Sequence, residues 1–231
     1  MEINSEEWQA LVKSGLDSFS VSADSKQIEQ LACHAAEMLK WNKTTNLTSI
    51  KDPSEVAVKH VVDSAAIVHD CAGFHNIMDI GTGGGFPGIP LGILLPNLQV
   101  TLVETIRKKV TFLKHAIRST GLKNIKAIQA RGEELSGDTG FGGHYDAVVC
   151  RAFSGLDNFA NMAIPYLKEN GVLLAMKGRE KEHETELLKK IDTCMADGRK
   201  ITYADLDVEL KEYKLPLSDS DRVLFSIRIK S

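Results

Sequence analysis

An α/β fold is predicted from three observations. From residue 76 onward, strand-like and helix-like stretches alternate. A glycine-rich turn, Asp79-Ile80-Gly81-Thr82-Gly83-Gly84-Gly85-Phe86-Pro87-Gly88, joins the first strand to the first helix of that series. The last β stretch alternates Val223, Phe225, Ile227 and Ile229, which is strand period. Alternating β and α implies a mostly parallel sheet with helices on both faces. Two β stretches after a single helix imply an antiparallel hairpin at the sheet edge. The expected architecture is a seven-stranded, mostly parallel sheet with an antiparallel edge strand and a helical N-terminal extension.

The extension is read over residues 1–60 and the main domain over 61–231. Ile28, Leu31, Ala32, Ala35, Met38 and Leu39 recur at helical spacing and define one apolar face. Asp24 or Ser25 suits the cap of that helix. Asp52-Pro53-Ser54 starts another, with proline in its first turn. Strands are then expected at 76–80, 99–103, 125–129, 145–150, 171–176, 199–208 and 222–229. Helices are expected at 87–95, 106–120, 156–168 and 180–196. Gly121 and Gly171 read as residues following helix ends.

Composition places the chain among ordinary globular proteins: 231 residues, 43% hydrophobic and 26% charged. No apolar run approaches the roughly 20 residues of a membrane span. The N-terminus, with Glu2, Glu6 and Glu7, lacks a signal-peptide pattern. Cys33, Cys71, Cys150 and Cys194 form no Cys-x-x-Cys pair and read as reduced thiols of a cytoplasmic protein. No metal site and no membrane partner are expected, and a monomer suffices. Net charge is −3, so the chain is not basic overall. Yet Thr105–Arg131 holds eight basic residues and no acidic one. That run is either a solvated helix face or a patch for phosphates.

The glycine turn sits where a nucleotide-like cofactor approaches the backbone, at the C-terminal end of a strand. Pro87 suits a first helical position. Two cofactors compete for it. Gly83 to Gly88 satisfies Gly-x-Gly-x-x-Gly, a dinucleotide signature that is weak alone and would suit a nicotinamide-dependent oxidoreductase. Three features favour S-adenosylmethionine in a Rossmann-like class I methyltransferase fold. Asp79 stands in the strand just before the first glycine, a helical extension precedes the loop, and a late antiparallel pair closes the sheet. Glu104, after the second strand, suits a ribose diol in either case. Asp79 either organises the loop or attracts the cofactor's cationic groups.

Gly81-Thr82-Gly83-Gly84-Gly85-Phe86-Pro87-Gly88-Ile89-Pro90-Leu91 resembles the loop of the bacterial RsmG family. These are small-subunit ribosomal RNA guanine-N7 methyltransferases, also called glucose-inhibited division protein B. Trp41-Asn42-Lys43-x-x-Asn46-Leu47-Thr48, His60-x-x-Asp63-Ser64, Arg151-Ala152-Phe153 and Lys177-Gly178 follow the family in the same order. The resemblance runs from about residue 35 to the C-terminus. It implies S-adenosylmethionine as cofactor and 16S ribosomal RNA or the small subunit as partner. Gly81, Gly83, Gly85 and Phe86 then belong to the cofactor loop, and Gly132 and Glu133 match the pair beside the adenine. Arg151 matches an arginine near the cofactor and the target base. Gly132 departs from the family, where a bulkier apolar residue is expected.

Guanine N7 carries a lone pair and no proton, so methyl transfer to it needs no strong base. Arg151 and Lys177 are the expected positioning groups, since N7 and O6 both accept. Phe86 and Phe153 suit stacking or core packing. Asn42, Lys43 and Asn46, with Arg107, Lys108 and Arg131, are the expected RNA contacts. His60 and Asp63 share a helical face and read as a structural hydrogen bond. A non-catalytic RNA-binding or assembly module is the third reading.

Overall fold

In the computed structural model, which describes residues 1–132, 135, 140–178 and 181–230, the first element is helix α1 (Glu6–Ser18). Ser5 caps it by accepting from Trp8 N, and Trp8, Val12 and Leu16 face inward. Helix α2 (Ser25–Thr45) opens with a reciprocal cap between Asp24 and Gln27. Its buried face is the expected apolar stripe, with His34 added and Leu39 half-buried. It ends at Asn46, in the left-handed region that asparagine tolerates. Asp52 caps α3 (Pro53–Val56). That helix runs without a break into a π-helical turn, Ala57–Val62, and α4 (Asp63–Ala65). The expected boundary at residues 60 and 61 falls inside this turn. A short α5 (Val68–Cys71) leads to the sheet.

The strands and helices that follow are β1 (Asn76–Ile80), α6 (Gly88–Leu94), β2 (Gln99–Glu104), α7 (Arg107–Ser119), β3 (Ile125–Gln129), β4 (Tyr145–Arg151), α8 (Leu156–Ala163), β5 (Leu167–Lys177), α9 (Lys181–Leu188), β6 (Asp192–Cys194), β7 (Lys200–Thr202), β8 (Leu206–Lys214) and β9 (Asp221–Ile229). The main sheet has the order β3-β2-β1-β4-β5-β9-β8. β1 to β5 pair in parallel, and β9 runs antiparallel to β5 and β8. The order reverses between β1 and β4, the place where α/β sheets open a ligand crevice.

Successive residues of one strand serve opposite faces. Ile77, Val100, Leu102, Ala147 and Val149 pack under α1, α2, α6 and α7. Met78, Ile80, Val103, Val148 and Cys150 pack under α8 with Phe225 and Ile227. The N-terminal helices therefore share one core with the sheet. Cys71 and Cys150 are buried, and burial pushes both thiols up. Among the described residues no helix is long and apolar enough to cross a membrane.

Four expected boundaries move. The helix expected over 156–168 ends at Ala163, where Pro165 tightens the chain into a 3-10 turn. β5 starts at Leu167, and its pairing jumps from Tyr145↔Leu167 to Ala147↔Val172. Gly171 thus lies in a bulged strand, not after a helix. The helix expected over 180–196 stops at Leu188. Ile191 and Met195 keep helical spacing, but the turn at Asp197-Gly198 folds β6 back on β7 as a separate ribbon. The strand expected over 199–208 divides into β7 and β8 around a 3-10 turn capped by Thr202 and Asp205.

Candidate active site

The glycine loop leaves β1 at the switch point. Gly83 has φ +56°, and a Cβ there would meet nothing nearer than Gly81 O at 3.9 Å. The outer side of the loop is open to a ligand, while the backbone conformation excludes most side chains. Gly88 is glycine for the opposite reason. A Cβ there would lie 2.3 Å from Leu102 Cδ2 and 2.7 Å from Asp79 Oδ2. α6 begins at Gly88, one residue after Pro87.

Two carboxylates hold the loop from beneath. Asp79 is fully buried, and its Oδ2 accepts from Thr82 Oγ1 (2.6 Å) and Gly88 N (2.9 Å). Its Oδ1 has no partner among the described residues. Burial pushes this carboxyl up to about 6, against the pull of those two hydrogen bonds and of the Arg151 charge. Glu104 closes β2. Its Oε2 accepts from Gly83 N (3.2 Å), and its Oε1 from Ile106 N (2.9 Å) and Thr105 Oγ1 (3.2 Å).

Beside them lies a cleft of about 430 Å³ bounded by Ile80, Gly81, Glu104, Arg131, Gly132, Phe153 and Met162. Gly132 is buried, and its carbonyl accepts from Tyr166 Oη. A Cβ at 132 would lie 2.0 Å from Met162 Sδ. Met162 takes the space that a larger residue at 132 would need. Glu133 lies outside the described residues. A smaller cleft between Gln99, Lys123 and His144 lies away from the loop.

Phe86 is 5% exposed, with the His34 ring 4.5 Å and the His60 ring 4.8 Å from its own. Its ring packs among histidines; Phe153 is the ring on the cleft. His34 Nε2 donates to Gly84 O (2.8 Å) and so grips the loop from α2. Arg151 ends β4 with its Cζ 5.2 Å from the Phe86 ring centre. Its Nη1 donates to Lys59 O (2.9 Å) and Asp63 Oδ2 (3.4 Å), and its Nη2 lies 2.9 Å from His60 Nδ1. Asp63 Oδ1 also accepts from Arg222 and Tyr213. Burial first, then the Arg151 charge, holds His60 down at about 3, and burial holds His34 at about 4.

Lys177 ends β5 nearby. Its Nζ donates to Phe153 O (2.5 Å) and Glu184 Oε1 (2.7 Å). Glu184 Oε2 in turn accepts from Leu156 N (2.8 Å). The lysine therefore pins the 153–156 segment that walls the cleft.

The expected RNA contacts divide. Asn42 is taken up locally: its Oδ1 accepts from Leu47 N and Thr48 N, and its Nδ2 donates to Thr48 O. Lys43 and Asn46 are exposed on the same turn. Arg107 and Lys108 are exposed in the first turn of α7, next to Glu104, and Arg131 is exposed at the cleft rim. Basic residues there oppose the helix dipole, so α7 begins without the usual acidic compensation. Sequence reasoning missed His34, Met162 and Glu184. A polar residue inside an apolar helical stripe was the available signal for His34; the other two had none.

A parallel β3-β2-β1-β4-β5 sheet with an antiparallel strand beyond β5, a glycine loop after β1 and an acid ending β2 define a Rossmann-like methyltransferase. A solved S-adenosylmethionine-dependent methyltransferase from Aquifex aeolicus shares the fold. It superimposes with a TM-score of 0.57 at 12% identity, covering 83% of this chain and 98% of that one. Residues 27–205 match the family GidB, rRNA small subunit methyltransferase G. A ribosomal RNA small subunit methyltransferase G from Geobacter metallireducens is 41% identical over 181 residues, 78% of this chain and 81% of the relative. One from Geotalea uraniireducens is 39% identical over 215 residues, 93% of each. The chain belongs to this family of ribosomal RNA methyltransferases.

Proposed function

We propose that the chain transfers the methyl group of S-adenosylmethionine to N7 of a guanine in 16S ribosomal RNA, as a cytoplasmic monomer. The observation that carries this reading is the glycine loop, braced by Asp79 and Glu104 beside an open cleft, in a chain of this family.

The residues fit the cofactor. The outer face of Gly83 is clear of protein. Glu104 offers a carboxylate, with about four lone-pair sites, to a ribose diol. Gly83 N, Ile106 N and Thr105 Oγ1 use three of them. The Thr105 hydroxyl is a rotor and can yield its site to a ribose hydroxyl. Ile80, Phe153 and Met162 give an apolar wall for a flat heterocycle. When bound, the cofactor supplies a methyl carbon already activated by its sulfonium.

The chain's own part is placement. N7 has no proton to lose, so no general base is required. Burial keeps the two histidines near the loop neutral: His60 is engaged at both ring nitrogens, and His34 Nε2 is engaged by Gly84 O. Holding the acceptor in line with the methyl carbon supplies the rate. Arg151 has N–H donors beyond its contacts to Lys59, His60 and Asp63, and these suit O6 or N7. Lys177 acts through the 153–156 segment. Lys43, Asn46, Arg107, Lys108 and Arg131 surround this end of the sheet with donors for phosphates.

Incubation with labelled S-adenosylmethionine and 16S ribosomal RNA lacking the modification tests the reading. Label that maps to 7-methylguanine supports it. Label at another atom overturns the N7 assignment, and none in RNA or small subunits overturns the whole.

A further inference from the structure

We propose that His60 is a positioning residue for Arg151: its Nδ1 lone pair accepts from the guanidinium, and Thr48 receives the proton on its other nitrogen. The proposal rests on the reading of Arg151 as the group that orients the target base.

Proton placement follows from the partners. A guanidinium donates only. With Arg151 Nη2 2.9 Å from His60 Nδ1, that nitrogen carries no proton. A neutral imidazole then carries its proton on Nε2, which lies 2.8 Å from Thr48 Oγ1. Ile50 N donates to the same hydroxyl oxygen at 3.1 Å, using its second lone pair. This arrangement of protons suits the guanidinium, both ring nitrogens and the Ile50 N–H. The ring is 9% exposed, and burial keeps it neutral beside a cation.

Three acceptors fix the guanidinium: Lys59 O, His60 Nδ1 and Asp63 Oδ2. All come from one stretch, the π-helical turn and the first residue after it, a kind of irregularity that gathers at functional sites. Asp63 is itself held by Arg222 and Tyr213. His60 also lies against Phe86 of the glycine loop, as Arg151 does. Thr48 ends the turn that Asn42 builds beside the exposed Lys43 and Asn46. The chain Asn42–Thr48–His60–Arg151 therefore joins a surface turn to the cofactor loop. The motifs around residues 41–48, 60–64 and 151–153 meet here, although they lie far apart in sequence.

Replacement of His60 by two amides is the test, because they reach different places. His60→Asn keeps an oxygen near the Nδ1 position and can still accept from Arg151. His60→Gln carries its amide toward Thr48 and leaves Arg151 Nη2 without that acceptor. His60→Gln should lower kcat about tenfold, as expected when a hydrogen bond to a charged, orienting group is lost. His60→Asn should stay within about threefold. Affinity for S-adenosylhomocysteine, read by calorimetry, should hold in both. Equal losses in the two variants, or losses that follow melting temperature alone, would overturn the proposal.

Histidine side-chain nitrogen NMR on the wild-type protein needs no variant. It should show His60 neutral with its proton on Nε2; a proton on Nδ1 would overturn the proposal. If the wild type methylates no RNA, the functional reading fails separately. The Arg151 N–H signals then decide for His60: distinct in wild type and averaged in His60→Gln supports it, and no change overturns it.

Discussion

Asp79→Asn separates the charge of the buried carboxylate from its hydrogen bonds. The carboxyl is fully buried, and burial raises it from 3.8 to about 6. The folded protein thus holds this proton more tightly than the unfolded chain. Stability from this group is fully present below about pH 4 and is lost as pH rises through about 6. At 1.36 kcal/mol per pH unit, the gap amounts to about 3 kcal/mol. Roughly 1.4 kcal/mol of it is lost between about pH 5 and pH 7.5. Asparagine does not titrate. Its carbonyl can take the place of Oδ2 and accept from Thr82 and Gly88 N, while its amide replaces the partnerless Oδ1. A buried amide without a partner brings its own cost, but that cost is independent of pH in this range. Urea titrations of both proteins across the interval read the difference. It should move by about 1.4 kcal/mol in the variant's favour from the acid end to the neutral end. A constant offset would refute the reasoning, because it would mean that Oδ1 has a partner and the carboxyl is not raised.

Gly83→Val forces a β-branched residue to φ +56° and fills the open side of the loop. S-adenosylhomocysteine affinity should fall at least about tenfold, and unchanged affinity in a folded variant would remove the loop from the cofactor site. Arg151→Ala should lower turnover more than cofactor affinity and destabilise the protein by about 2 kcal/mol in urea, because Asp63 keeps Arg222 and Tyr213. Lys177→Met leaves Glu184 buried with the Leu156 N–H as its one hydrogen-bond partner among the described residues. It should cost about 3 kcal/mol in urea, and adding Glu184→Gln should recover part of that. Arg107→Ala with Lys108→Ala should weaken RNA binding and flatten its salt dependence by about 1.5 in log–log slope, with cofactor affinity unchanged by calorimetry.

The parts of the fold legible in the sequence are those written in local pattern. The apolar stripe of α2, the alternation of β9 and the strand–glycine–helix passage at 76–94 each state their conformation within a few residues. Boundaries set by distant partners were not legible. Gly171 looks like a helix end, yet β4 draws the preceding residues into a strand and leaves a bulge. Ile191 and Met195 keep a helical apolar spacing, yet a turn at Asp197-Gly198 folds residues 192–202 into a ribbon. The site shows the same division. Asp79, Glu104 and the glycines announce themselves because a loop of that kind needs them nearby. Lys177 reads from the sequence as a group that positions the target base, and only the fold reveals Glu184 against it.

His34 carries the argument one step further. Its hydrogen bond to Gly84 O and its ring beside Phe86 come from a helix that sequence places in an extension. The conformation of the glycine loop is therefore set from three directions: Asp79 of β1 holds Gly88, Glu104 of β2 holds Gly83, and His34 of α2 holds Gly84. The glycines permit that conformation but do not choose it. The same ten residues without α2 would keep both carboxylate contacts and lose the grip on Gly84. In this chain the groups that hold the shape of the Gly-x-Gly-x-x-Gly stretch, His34, Asp79 and Glu104, all lie outside it.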